Sequence, residues 1–140
     1  MAPDWFHPVI DVESRPFWDG CLEGRLMLKR CGSCKTNFYY PRAHCPHCWS
    51  SETDWFEASG QGMLYSFSIV HQYPVEPFAS LLPYGNILVT LDEGPRMMAN
   101  WDFSVSLELM ECDMPVMVGF RRVTDELALP VFAPQGRVAT

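Results

Sequence analysis

The sequence predicts a mainly β chain in two parts: a short helix with a cysteine-clamped ribbon over residues 1–57, then a five-stranded barrel with a C-terminal tail over residues 58–140. Three observations carry this expectation. Four of the six cysteines fall in two Cys-x-x-Cys pairs, Cys31/Cys34 and Cys45/Cys48, with ten residues between the pairs. Aromatic side chains make up 14% of the 140 residues, which favours sheets or contact surfaces over a helical bundle. Beyond Gly60, short apolar runs are separated by clusters of Gly, Pro, Asn and Asp, as in small antiparallel barrels.

The elements follow in order. Residues 1–13 read as an irregular lead-in. Ser14 to Gly24 reads as a short helix, with Ser14 as N-cap, Pro16 in the first turn and Gly24 at the end. Phe17 and Cys21 are four apart and share a face, with Trp18 and Leu22 beside it. That face either packs on the ribbon or barrel or docks another chain. Leu26–Cys31 is a strand running into the first cysteine pair, Thr36–Tyr40 a second strand that stops before Pro41, and Asp54–Ala58 a third. Two knuckles on β-hairpins clamping one metal are the plan of a zinc ribbon.

The barrel strands are read at Gly62–Tyr73, Asn86–Leu91, Arg96–Trp101, Pro115–Val123 and Leu127–Phe132. Asp92-Glu93-Gly94-Pro95 is a turn, and residues 104–111 hold one helical turn. Five short strands with turn signals at their ends point to a Greek-key barrel of the OB type. The loop from Pro74 to Gly85 carries Phe78, Leu81 and Leu82, more apolar side chains than a solvated loop needs.

The cysteines point to metal chemistry of one kind. Zinc takes four soft, deprotonated ligands in a tetrahedron, and each Cys-x-x-Cys knuckle offers two at the right separation. Cys31, Cys34, Cys45 and Cys48 are therefore the expected ligands of one zinc ion, with His44 and His47 as bystanders. A closed four-cysteine site leaves no position for water or substrate, so this zinc is structural. So short a ribbon buries little core of its own, and the metal supplies its folding energy. Cys21 and Cys112 are left over and are expected to be small buried apolar side chains.

Charge argues against one class of function. Residues 1–50 carry a net of +1 and residues 51–140 a net of −8, which sum to the chain's −7. A barrel of that sign repels a phosphate backbone, so nucleic acid is not an expected partner. No apolar run approaches the ~18 residues of a membrane span, so no membrane association is expected. The N-terminus lacks the pattern of a secretory signal, and a cytoplasmic setting is the default. There is no Gly-rich phosphate loop, no Gly-x-Ser-x-Gly elbow and no His-Glu-x-x-His. His71 is expected to be a surface side chain and Asp92-Glu93 to be turn chemistry. No catalytic residue is assigned.

The ordered features, Phe17-Trp18, CGSC, Pro41-Arg42, CPHC, Trp55, the Gly60-x-Gly62 entry, PYGNILVTLDEG, MPVMVGF and LPVFAP, resemble the DUF35 family over residues 14–134. That resemblance implies a rubredoxin-like zinc ribbon followed by an OB barrel. It also implies a non-catalytic subunit assembled with a thiolase-like catalytic chain acting on acyl-CoA thioesters. The subunit stabilises its partner and helps shape the path of the CoA arm. One branch of similar length acts with a thiolase in the anaerobic breakdown of aromatic hydrocarbons, on an aryl-substituted succinyl-CoA derivative. The family usually places glycine after each knuckle, at positive φ; here Lys35 and Trp49 stand there.

The expected partner or CoA contacts are Phe17, Trp18, Phe38, Tyr39, Tyr40 and Arg42. Phe38, Tyr39 and Tyr40 are consecutive, so on a strand they cannot all face one side, and at least one reaches an exposed surface. Two other functions compete. A free-standing acyl-CoA binder or hydrolase would need Arg25, Lys29, Arg30, Lys35 and Arg42 to converge on the CoA phosphates. A nucleic-acid-binding OB module would need a basic groove.

Overall fold

The structure is a computed structural model that describes residues 7–72, 76 and 78–135. Helix α1 (Arg15–Glu23) is followed by three short strands, β1 (Met27–Cys31), β2 (Asn37–Phe38) and β3 (Thr53–Glu57). They form one antiparallel sheet in the order β2-β1-β3. Five longer strands follow: β4 (Gln61–Val70), β5 (Tyr84–Leu91), β6 (Arg96–Trp101), β7 (Pro115–Thr124) and β8 (Leu127–Pro134). They close into a barrel in the order β4-β5-β6-β8-β7, with β6 and β8 parallel and every other pair antiparallel. This is the five-stranded Greek-key closure that the turn spacing predicts.

The helix begins differently from expectation. Ser14 flanks the helix but makes no capping bond to it. Its hydroxyl points back, accepting from the Asp11 amide at 3.2 Å, while Asp11 Oδ1 accepts from the Ser14 amide at 2.9 Å and the hydroxyl at 2.8 Å. Arg15 N–H bonds the Asp11 carbonyl at 2.9 Å. Asp11 therefore caps a turn that leads into α1, in a reciprocal box. The hydroxyl serves that upstream turn and is itself buried at 1% exposure. The helix ends as predicted: Gly24 takes φ 78°, and the amides of Gly24 and Arg25 bond Cys21 and Gly20 carbonyls.

One continuous core joins ribbon and barrel. Phe17, Trp18 and Cys21 of α1 and Leu26 and Leu28 beside them pack with Leu64, Ile87, Val89, Leu91, Met97, Trp101, Val116 and Phe132 of the barrel. The helix lies chiefly against β8. Gly20 lets the chain fold back closely from the helix end into β1, since a Cβ there would stand 2.6 Å from Met27 Cγ and 2.8 Å from the Arg25 carbonyl oxygen. A backbone bond from Ala58 to the Leu26 carbonyl at 2.8 Å ties the start of the barrel to the ribbon.

Three further expectations change. The second ribbon strand is two residues long, because the left-handed turn at Lys35 (φ 66°) precedes it and Tyr39-Tyr40-Pro41 leaves the sheet after it. The first barrel strand ends at Val70; the expected strand end at Tyr73 lies outside the described residues. Cys112 is exposed, not buried, because Asp113 at φ 68° turns the chain back toward β7 and leaves the Glu111-Cys112-Asp113 tip in solvent. The helical turn expected in residues 104–111 is a single 3₁₀ turn at Leu107–Leu109.

Candidate functional site

Each knuckle is built by backbone geometry that gathers sulfur. Cys31 ends β1, and the amides of Ser33 and Cys34 fold back to donate to its sulfur at 3.3 and 3.4 Å. The His47 amide does the same to Cys45 Sγ at 3.3 Å. Lys35 and Trp49 close the two turns in the left-handed region, at φ 66° and 67°. Their amides bond the Cys31 and Cys45 carbonyls at 3.0 and 2.9 Å.

The four sulfurs converge. Cys31, Cys34, Cys45 and Cys48 have their Sγ atoms within 4.8 Å of one another. The Cys31–Cys48 and Cys34–Cys45 separations are 3.6 and 3.7 Å. A tetrahedral ion with metal–sulfur bonds near 2.3 Å has sulfur–sulfur edges of about 3.8 Å, so the donor set fits such an ion.

The thiols are not equal. Hydrogen bonding with the Thr36 hydroxyl, 3.2 Å away, and then with the Thr36 amide brings Cys34 down to about 6. The Cys34 amide, foremost, also lowers Cys31. For Cys48 the Ser50 amide pulls downward, but lost hydration and the three neighbouring sulfurs hold it up at about 12. Packed thiolates repel, and a bound dication is what removes that penalty. These residues can hold a cation; with four protein ligands they leave no open position for substrate.

The predicted contact residues divide by burial. Phe17, Trp18 and Phe38 are buried, at 0%, 6% and 6% exposure. Phe17 stands edge-on to Trp18 at 4.9 Å and to Tyr39 at 5.7 Å between ring centres. Burial pushes the Tyr39 phenol up to about 12. Tyr40 lies 5.8 Å from Tyr39 and is exposed, as is Arg42. Of the six residues, Tyr40 and Arg42 therefore offer surface to another molecule, while Phe17 and Trp18 belong to the main core and Phe38 to the small cluster at the knuckles.

Three of the five ribbon cations are engaged within the chain. Lys29 is 7% exposed, donates to the Arg42 carbonyl at 2.9 Å and sits 5.2 Å from the Trp55 ring centre. Arg25 pairs with Glu23 at 3.4 Å and Glu57 at 3.6 Å. Lys35 Nζ donates to the Gly32 carbonyl at 2.7 Å. Lys29 and Arg30 are adjacent on a strand and face opposite ways. His71 is exposed, as expected.

Sequence reading missed the clasp between ribbon and barrel. Asn37 Nδ2 donates to the Glu93 carbonyl at 3.0 Å, and Glu93 Oε2 accepts from the Ser59 amide at 2.9 Å. Glu93 was assigned to turn chemistry, and nothing in the sequence marks its pairing with a residue so far upstream.

Comparison with known proteins adds to this geometry. Residues 18–54 match the family model of the ChsH2 rubredoxin-like zinc ribbon domain, and residues 55–121 that of the ChsH2 C-terminal OB-fold domain. The chain is 35% identical over 127 residues to a probable enoyl-CoA hydratase alpha subunit of Thermomonospora curvata. That alignment covers 91% of this chain and 39% of the relative, so the chain spans less than half of the relative's length. It is 29% identical over 109 residues to a DUF35 domain-containing scaffold protein of Methanocaldococcus jannaschii, covering 72% and 71% of the two chains. Among solved structures it is similar to a chain of the Ltp2-ChsH2(DUF35) aldolase, with TM-score 0.80 and 35% identity over 91% of this chain and 98% of that one. A DUF35 protein from Sulfolobus solfataricus shares the fold at TM-score 0.61 and 11% identity, covering 82% and 83%. Ribbon, barrel and four-cysteine cluster agree with these matches, and the chain belongs to the ChsH2/DUF35 family of zinc-ribbon and OB-fold proteins.

Proposed function

We propose that this chain is the non-catalytic accessory subunit of a thiolase-type enzyme acting on CoA thioesters, and that the ion held by Cys31, Cys34, Cys45 and Cys48 is a structural zinc. The observation that carries the reading is the likeness, over 91% of this chain and 98% of the other, to a chain of the Ltp2-ChsH2(DUF35) aldolase. The reading is supported by the name of the Thermomonospora relative, a probable enoyl-CoA hydratase alpha subunit, and by that of the Methanocaldococcus relative, a scaffold protein. The chain's own chemistry agrees: its one thiolate cluster has no open position. The ribbon cations that a free-standing CoA site would need are largely engaged within the chain. The subunit's task is then to stabilise the partner and border its CoA path, while the partner breaks bonds and selects the acyl group. Resemblance to the aromatic-degrading branch makes an aryl-substituted succinyl-CoA the first substrate to try.

The test is co-expression with a thiolase-like protein from the same genome. The expected result is a co-eluting hetero-oligomer containing one zinc per copy of this chain. The partner's thioester turnover should exceed that of the partner alone, with none from this chain by itself. Turnover by this chain unaided, or a partner indifferent to its presence, would refute the proposal.

A further inference from the structure

An apolar pocket opens on the wall of the barrel, and no described residue lining it belongs to the ribbon. Its floor is one face of β8, where Leu127, Leu129 and Val131 alternate along the strand and point to the same side. Strand pairing sets Arg121 of β7 opposite Leu129 and Asn100 of β6 opposite Val131, so three strands supply that floor. Phe78 and Leu81, in the connection from β4 to β5, and Phe103, just after β6, form its walls. Leu127 and Val131 are only 4% and 5% exposed, which makes the floor a recess and not a patch of open surface. The cavity measures about 110 Å³. An apolar cavity of about 150 Å³ takes up benzene, so this recess suits a short hydrocarbon body.

Two polar groups at the pocket have chemistry to spare. Arg121 is exposed, and its guanidinium lies over the Phe103 ring, 4.5 Å from the centre. It enters no ion pair with a described residue; the ion pairs there are those of Arg25. The carboxylates nearest in sequence are engaged or set apart. Asp102 accepts from the Ser104 amide and hydroxyl at 2.9 and 2.7 Å. Asp125 and Glu126 form the turn between β7 and β8, beyond the Thr124–Leu127 pair. His7 also lines the pocket, and its Nε2 is buried with no hydrogen-bond partner. Asn100 Nδ2, by contrast, is spent on the Gly85 carbonyl and Asn86 Oδ1, at 3.1 and 3.0 Å. A guanidinium presents its N–H donors in a rigid fork that matches a carboxylate. Apolar lining with a few polar groups is the make-up of small-molecule sites.

We propose that this pocket binds a short aliphatic carboxylate, of about four to six carbons, with its hydrocarbon body on Leu127, Leu129 and Val131 and its carboxylate on the Arg121 guanidinium. His7 Nε2 is a second hydrogen-bonding atom at the same site. The site takes the free acid and needs no partner chain, so it stands or falls separately from the accessory role.

The experiment uses the full zinc-loaded chain with isotope-labelled Leu and Val methyl groups, titrated with hexanoate, hexanol and acetate. Hexanoate should shift the Leu127, Leu129 and Val131 methyl signals saturably and leave those of Leu64 and Val89, in the barrel core, in place. Hexanol lacks the charge and acetate lacks the body, and each should bind at least about 10-fold more weakly. Arg121→Gln, a change at an exposed position, should keep the melting temperature and bind hexanoate no better than hexanol. Leu129→Trp fills the recess and should lose both, with unmoved Leu64 and Val89 signals showing that the fold is kept. No saturable shift with hexanoate, equal binding of hexanol or acetate, or undiminished binding by Arg121→Gln would overturn the site. Displacement of hexanoate by CoA would overturn it too, because the pocket would then belong to the path of the thioester. The accessory role survives each of these results.

Discussion

Loss of the metal is expected to open the knuckles and leave the barrel closed. The knuckles' own buried cluster is Cys31, Phe38 and Cys45, with Cys34 against it. Phe38 is the one large apolar side chain among them, and its burial contributes about 1.5–3 kcal/mol. Ordering each residue between the knuckles costs about 1–2 kcal/mol, so burial alone cannot hold them. A structural zinc contributes on the order of 10–16 kcal/mol. Even a third of that, about 4 kcal/mol, shifts an opening equilibrium by roughly 10³. β1, by contrast, is anchored by Leu28 in the main core and by five paired residues with β3. The perturbation is Cys31→Ser, or a chelator applied to the wild type, and the assay is hydrogen exchange read by mass spectrometry. The amides to follow are Cys31, Gly32, Lys35, Cys45 and Trp49, which bond Thr36, Glu52, Cys31, Cys45's partner Ser50 and Cys45 in turn. They should exchange at least about 10³-fold faster, while Val118, bonded to the Gly60 carbonyl, should not change. Knuckle amides that stay protected, or Val118 opening in step with them, would refute the division of stability argued from the two clusters.

Three other outcomes are expected. Gly20→Ala should destabilise by about 1–3 kcal/mol in urea unfolding, although alanine is the better helix former by about 1 kcal/mol, because its Cβ would meet the Arg25 carbonyl oxygen at 2.8 Å. In the zinc-loaded protein one thiol, Cys112, should react quickly with a disulfide reagent and Cys112→Ser should abolish that phase. Cys21 should stay silent, since burial pushes its thiol up to about 12. The Asp11 carboxyl is held below its usual 3.8 by the Ser14 hydroxyl first and the Ser14 amide second. A depressed carboxyl stabilises above its unfolded value and loses that contribution as pH falls through its folded one. The stability gap between wild type and Asp11→Ala should therefore narrow as pH is lowered through 3.8 and below, as measured by denaturant midpoints.

What was legible in the sequence was whatever local chemistry imposes. Arg96–Trp101 was placed to the residue because Gly94-Pro95 bounds it on one side and Asp102 on the other. The four cysteines were legible because thiolate spacing is a short-range geometric demand. Where a residue's partner is distant, the pattern was silent. Ser14 looks like a cap, but its hydroxyl turns to Asp11. Cys112 looks like a small core residue, but Asp113's left-handed backbone exposes it. Phe38, Tyr39 and Tyr40 do not follow strand alternation, since the strand ends at Phe38, and the packing of Phe17 on Tyr39 covers that ring while Tyr40 stays exposed. Lys29 and Arg30 are neighbours in sequence yet face opposite ways, because a strand sends successive side chains to opposite faces.

Helix α1 rests on β8, the final strand of the barrel. The first helix of the described fold is thus tied to its last strand, and Phe17 and Trp18 complete their burial only when Leu127–Pro134 is in place. A cut inside that strand would open the barrel seam and loosen the helix in one event.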